Sequence, residues 1–460
     1  MKETVTNVGS SRSTGHDLTS GNLHRGICRL ALPMILEMSV LNVPRLLDAW
    51  WVGKLGSAAL AAVTISAAVR WVINGMANGL GVGGMAVIAR RVGARDRAAA
   101  QRAVWQTILL GVAISALLSG LGLLLARPML ALLGAGPRVL ALGISYLRIT
   151  LGGLVVLVLQ CAINSMLRGA GEARLAMSVL FVHSAVAVAS EWALIFGRGP
   201  FPALGVVGAA WGNVLGLSAG LALQAVILLR GKARIGICLC DRKPDLGLMG
   251  QIVRIGLPSM VQMTLRSASR LIVMGLVGVH GTHAVAGYGV ADRLLLVATV
   301  PGFGLGNAAG TLVGQNLGAR KPDRAERNTW WVSAYAAGYM TIVAALLFIF
   351  ARPLIGVFDP TPQVVEIGAE GLRIVAPALI PAIVGRVLAR GFDGAGDTTP
   401  AMTINLLTLW GMELPLTYGL SRRLDLGVAG LWWGRALAHL ANGMLFAVWF
   451  RLGRWKRREV

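Results

Sequence analysis

Eleven charged side chains lie inside otherwise apolar stretches of this 460-residue chain: Glu37, Arg45, Asp48, Arg70, Glu191, Arg266, Arg270, Asp292, Arg293, Arg386 and Glu413. A charge at the middle of a bilayer costs about 2.5–3.5 kcal/mol on insertion scales, so it is retained for a task such as binding and releasing a proton or a cation. Arg45 stands three residues before Asp48 and so on the same helical face, which makes an ion pair between them the structural alternative to a titrating role for the acid. The residues of soluble chemistry are scattered. His16, His24, His183, His280, His283 and His439 form no cluster, and Cys28, Cys161, Cys238 and Cys240 have neither a disulfide pattern nor metal-ligand spacing. The run Gly79-Leu-Gly81-Val-Gly83-Gly84 follows no strand and reads as close helix packing, not as a nucleotide loop. No catalytic residue, metal site or cofactor is expected.

The elements that must hold these charges are read from composition. Apolar residues make up 55% of the chain and charged ones 14%, against about 25% in average globular proteins. Mean hydropathy is +0.68. Lys and Arg number 43 against 20 Asp and Glu, a net charge of +23 that is too sparse for a nucleic-acid partner and fits membrane topology instead. An all-α integral membrane protein is predicted, with twelve spans near 27–52, 58–88, 103–126, 139–166, 175–197, 205–229, 248–279, 284–316, 329–351, 364–389, 400–420 and 427–450. Arginines and lysines crowd the even-numbered connectors (Arg90, Arg91, Arg95 and Arg97; Arg230 and Arg234; Arg320, Lys321 and Arg324) and the C-terminal tail, which places both termini in the cytoplasm. Residues 1–25, polar and without a signal-peptide core, read as a disordered cytoplasmic tail.

An internal repeat divides the chain. Leu32-Pro33, Gly93-Ala94-Arg95, Ala126-Arg127-Pro128 and Gly169-Ala170-Gly171 recur 225 residues later, and Leu204-Gly205-Val206 recurs 222 residues later. An N-terminal lobe over 26–230, a linker over 231–246, a C-terminal lobe over 247–451 and a basic tail over 452–460 follow. An even number of spans per repeat gives a pseudo-two-fold along the membrane normal, the architecture of two rocking lobes. The repeat carries Arg45 to Arg270 and Glu191 to Glu413, whereas Asp48 falls on Val273. An Arg45–Glu191 and an Arg270–Glu413 contact are therefore predicted as supporting charges, with Asp48 as the asymmetric member. Met34, Met38, Met260 and Met263, with Asn42, Asn74, Asn78, Gln160, Asn164 and Gln262, are candidates for the lining of a wet, adaptable cavity; packing between helices is the alternative for each. Pro33 and Pro44 mark span 1 as the hinge, because each removes a helical hydrogen bond and Pro258 repeats only the first.

The run Asp48-Ala-Trp-Trp-Val-Gly53-Lys-Leu-Gly56, together with Arg90-Arg-Val-Gly-Ala94, Leu204-Gly-Val-Val-Gly208 and Val313-Gly-Gln-Asn-Leu-Gly-Ala319, resembles the multidrug and toxic compound extrusion (MATE) family over residues 25 to 455. The resemblance implies a twelve-helix, two-lobed antiporter of the plasma membrane, here a bacterial inner membrane. It would expel small organic, typically cationic, compounds against an inward flow of H+ or Na+, as a monomer and without a cofactor. Asp48 matches the family's acidic position in span 1. Glu191 falls where some relatives carry an acidic cation-site residue, although the Asn found four residues earlier in them is Ala187 here. Both are assigned to ion coupling, and the nearby Arg45 favours H+ over Na+ because a fixed positive charge repels a metal cation. A lipid-linked saccharide flippase of the same superfamily is the alternative that arginines inside the lobes would suit; a membrane-embedded transferase is the alternative from another class.

Overall fold

The computed structural model describes residues 18–132, 136–198, 200–231, 233–236 and 243–458. Residues 1–17 of the expected tail, Cys238 and Cys240 in the linker, and the side chains of Asn42 and Arg45 lie outside the described residues. Within them every regular element is helical. Twelve spans follow in chain order: α1 (Leu23–Val40) with α2 (Asn42–Lys54); α3 (Ser57–Gly93); α4 (Arg97–Leu132); α5 (Pro137–Gly152) with α6 (Leu154–Gly169); α7 (Ala173–Phe196); α8 (Val206–Leu229); α9 (Leu246–Gly278); α10 (Thr282–Gly318); α11 (Pro322–Ile349) with α12 (Ala351–Gly356); α13 (Pro362–Val375) with α14 (Leu379–Ala395); α15 (Thr398–Asn405) running through a π-helical stretch, Leu406–Glu413, into α16 (Leu414–Tyr418); and α17 (Gly427–Arg451). Among the described residues, α4, α7, α8, α10 and α11 are each long and apolar enough to cross a membrane, and the two bent pairs raise the number to seven. The remaining spans carry Glu37, Asp48, Arg70, Arg266, Glu413 and Arg435 within them.

The repeated sequence folds in a repeated way. Gly93-Ala94-Arg95 and Gly318-Ala319-Arg320 end spans 2 and 8 with an arginine in the left-handed region, at φ +62° and +58°. The next residue's N–H then reaches back five residues, Asp96 to the Arg91 carbonyl and Lys321 to the Asn316 carbonyl, so that the last helical carbonyls are satisfied. Spans 4 and 10 bend at equivalent places, by 49° and 58°; Gly152-Gly153 and Pro377 interrupt the helices there. Span 1 breaks at Leu41, where Pro44 frees the carbonyl of Val40, while its repeat partner α9 runs unbroken through Pro258. Pro33 is buried inside a continuous α1.

The two lobes meet at the end of the bundle that carries both termini, through contacts related by the two-fold. A Cβ on Gly93 would strike the backbone of Gln315, and one on Gly318 the backbone of Arg90, its repeat equivalent. Likewise Gly79 abuts Gly256 and Met260, while Gly304 abuts Met34 and Ile35. Glycine lets backbones approach this closely. Hydrogen bonds cross the seam at the same end: Thr311 Oγ1 donates to the Arg168 carbonyl (2.9 Å), Gln315 Nε2 to the Gly169 carbonyl (2.8 Å) and Arg90 to the Ala395 carbonyl (2.9 Å). The tails add to it. Lys321 and Arg324 donate to the carbonyls of Thr19, Ser20 and Gly21, so residues 18–22 of the expected tail are held in place. At the other terminus Arg90 donates to the Arg458 carbonyl, and Trp455 is fully buried against Phe450.

Candidate functional site

Four spans of the N-terminal lobe converge on one acidic cluster. Asp48 comes from α2, Arg70 from α3, Tyr146 from α5 and Glu191 from α7, all within electrostatic reach of one another. Arg70 Nη1 donates to the Tyr146 hydroxyl at 2.6 Å. Glu191 is 1% exposed, and its Oε2, like Asp48 Oδ1, is buried without a hydrogen-bond partner among the described residues. Span 6 closes over Glu191 because Gly212 has no Cβ: one there would collide with the glutamate backbone. Two carboxylates that each keep a spare oxygen beside one arginine form a site able to take up and release a proton, since like charges at close range disfavour the doubly ionised state.

The C-terminal lobe answers with different residues. Asp292 of α10 accepts from Arg435 of α17 at 2.8 Å and pairs with Arg270 of α9 at 3.7 Å. Arg435 also donates to the Tyr288 hydroxyl at 3.2 Å, and Tyr288 stacks on Trp432 with ring centroids 4.2 Å apart. Glu413 is buried at the end of the π-helical stretch, within electrostatic reach of Arg435, Arg266 and Arg270. Pro415 frees the Gly411 carbonyl there, which lets the turn widen. Both lobes thus join an arginine to a tyrosine hydroxyl beside a glutamate from the fifth helix, yet Tyr146 is equivalent to Gly371, whose space Trp432 fills.

The expected pairs are corrected in part. Arg270 makes its ion pair with Asp292 and not with Glu413, because Asp292 on the neighbouring span reaches it first. The Arg45–Glu191 pair involves a side chain outside the described residues, and Arg70 is the arginine seen to act on Glu191. Several of the expected cavity residues are taken up in contacts between or along helices. Met34 is fully buried in the seam against Gly304. Asn164 donates to Glu37 Oε1 at 2.8 Å, and Gln160 is buried against Gly220 with its backbone carbonyl accepting from Gln224 at 3.1 Å. Asn78 donates to the Asn74 carbonyl of its own helix. Met260 packs against Gly79 in the seam, and Met263 lies beside Gly75. Met38 and Gln262 are half-buried.

Glu37, one of the acids expected inside the membrane, forms an ion pair at 2.8 Å with Arg168 that joins span 1 to the end of span 4; the sequence singles out no role for Arg168. Arg168 precedes Gly169-Ala170-Gly171 and reads as connector charge; Arg435, eight residues into span 12, was likewise passed over. Tyr146 had one legible signal: it interrupts the repeat, standing opposite Gly371 just before Leu147-Arg148-Ile149, which recurs as Leu372-Arg373-Ile374.

The MatE family model matches residues 33–192 and 258–419, one copy in each lobe. The chain is similar to the probable multidrug resistance protein NorM of Thermotoga maritima, at 24% identity over 95% of this chain and 94% of that one. It is similar also to the FAD transporter of Shewanella oneidensis, at 26% identity over 93% and 94%. Among solved structures, one described as an outward-facing conformation of a multidrug resistance MATE family transporter of the MOP superfamily superposes with a TM-score of 0.90 at 25% identity, covering 97% of this chain and 99% of that one. A family match in both halves and a shared fold over nearly the whole length have one meaning: the chain belongs to the MatE family of membrane transporters and is not an enzyme.

Proposed function

We propose that this chain is a secondary active exporter that couples inward movement of H+ to outward movement of small organic compounds by alternating access. The cluster of Asp48, Glu191, Arg70 and Tyr146 in one lobe, on the far side of the closed seam, supports this reading most directly. H+ is favoured over Na+ because Arg70 stands beside both carboxylates and repels a metal cation. The basic connectors support a cytoplasmic position for the sealed end, and with it an outward-facing conformation. Relatives named as multidrug resistance proteins support organic substrates of varied structure.

The test is reconstitution into proteoliposomes. A pH gradient is expected to drive ethidium accumulation, and Asp48→Asn to abolish it; dependence on a Na+ gradient alone, or proton-driven transport intact in Asp48→Asn, overturns the assignment.

A further inference from the structure

Five arginines enter the interior of the C-terminal lobe: Arg266 and Arg270 from α9, Arg386 and Arg390 from α14, and Arg435 from α17. Three carboxylates share the space, and they are unevenly distributed. Asp292 takes Arg270 and Arg435, and Asp393 takes Arg390 at 3.0 Å. Arg266 makes one hydrogen bond, at 3.3 Å to Asn405 Oδ1, and shares the field of Glu413 with Arg435 and Arg270 without an ion pair of its own among the described residues. Arg386 packs its guanidinium over the Phe303 ring, 4.6 Å from the centroid, with Nη1 buried and without a hydrogen-bond partner. The four charges that act on Arg386 most strongly are all arginines: Arg266, Arg435, Arg390 and Arg270.

The repeat shows that this excess is particular to one lobe. At the 225 offset Arg266, Arg386 and Arg390 stand opposite Leu41, Cys161 and Ser165, and at the 222 offset Arg435 stands opposite Asn213. Only Arg270 has a basic counterpart, Arg45. The acids show no matching bias: Asp48 stands opposite Val273 and Glu37 opposite Gln262, but Asp292 stands opposite Ala67 and Asp393 opposite Arg168. A buried guanidinium without a counter-charge is costly, and its planar fork fits two oxygens of a carboxylate or phosphate. The bend in span 10 turns α14 so that Arg386 comes within reach of Arg266 on α9 and Arg435 on α17.

We propose that the C-terminal lobe can hold an anionic group, a phosphate or carboxylate, of a transported compound between Arg266 and Arg386, so that organic anions or zwitterions are carried besides cations. The proposal rests on the export function argued above and names its substrate class. The same fork accepts a soluble phosphate ester or a lipid headgroup, and the two sources are separable.

Full-length protein in phosphatidylcholine nanodiscs is titrated with riboflavin and with FMN, its phosphate ester, by flavin fluorescence. FMN is expected to bind at least about tenfold more tightly, as for a charge-assisted bidentate contact. Arg386→Gln and Arg266→Gln each bring the ratio towards one, and Arg386→Lys, which keeps the charge but not the fork, leaves it in between. Should Arg386→Gln fail to fold, as judged by its melting profile, Arg266→Gln decides. In a second arm, retention of added phosphatidylglycerol is followed by native mass spectrometry. Retention that depends on Arg386, with no preference for FMN, assigns the site to a lipid headgroup; a preference for FMN that depends on Arg386 assigns it to a soluble ester. Equal binding of the two flavins with lipid retention indifferent to Arg386 overturns the proposal, as does an FMN preference that survives both glutamine substitutions. Binding needs no ion gradient. If the preference holds and no gradient drives transport, the coupling proposal fails and this one stands.

Discussion

Glu37 is completely buried, and a single oxygen of its carboxylate receives both Asn164 and Arg168. Removing one partner of such a pair leaves an uncompensated charge in a dry place. Arg168→Ala is therefore expected to cost about 3–5 kcal/mol, seen as a lower melting temperature in detergent, whereas the double variant Glu37→Gln with Arg168→Gln stays much closer to the parent. The acidic cluster of the same lobe responds differently. Tyr146→Phe removes the hydroxyl that accepts from Arg70 and frees the guanidinium to turn fully onto Asp48 and Glu191. Proton-driven transport is then expected to fall and its pH optimum to move down, because an arginine drawn closer favours the ionised carboxylates; an unchanged pH profile would assign Tyr146 to packing alone. Asp48 and Glu191 were legible in the sequence as acids in apolar runs. Their working partners were not, because Arg70 and Tyr146 lie on other spans and nothing in linear spacing announces that four helices cross at one depth.

At the level of elements, the most economical signal is the glycine. Gly93 and Gly318 end equivalent helices, and each rests on the backbone opposite the other's repeat partner. Gly93→Leu would force α3 and α10 apart and is expected to favour the state open at this end, read as increased alkylation of a cysteine placed at Ala395 in a cysteine-free background. The repeat made such glycines visible as motifs, yet their purpose became clear only with the seam. Span 1 gives the converse case. Two prolines predicted two bends, and only Pro44 coincides with a break, because the buried Pro33 is held straight by the core of α1 around it. Pro44→Ala is expected to join α1 and α2 into one helix, detectable by a longer distance between spin labels at residues 30 and 54, and to slow transport if the break is part of the cycle. The widened turn before Glu413 had no sequence signature beyond Gly411 and Pro415, residues common in any membrane helix.

Across the whole molecule, the twelve spans, their two-fold relation and the sidedness of the basic connectors were all present in the chain as periodicity and offset. The difference between the lobes was only half visible. Arg45 and Arg270 suggested that both lobes were built alike, but the structure separates them, with carboxylates keeping free oxygens in the first and a surplus of guanidinium groups in the second. A bifunctional thiosulfonate cross-link between cysteines at positions 90 and 395, across the seam where the Arg90 side chain reaches the Ala395 carbonyl, is expected to stop transport and release it on reduction; turnover in the cross-linked form would mean that the lobes need not part here.

Each end of the described chain is fastened to the lobe that it does not belong to: the carbonyls of Thr19, Ser20 and Gly21 to Lys321 and Arg324, and that of Arg458 to Arg90. Lys456, bonded to Asp323 and Glu326, anchors the second fastening. Both must let go whenever the lobes separate at this end and re-form when they close. The tails are therefore expected to brake the cycle, with a strength set by main-chain acceptors and so indifferent to what the cavity carries. Speed and selectivity are in this way assigned to different parts of the chain.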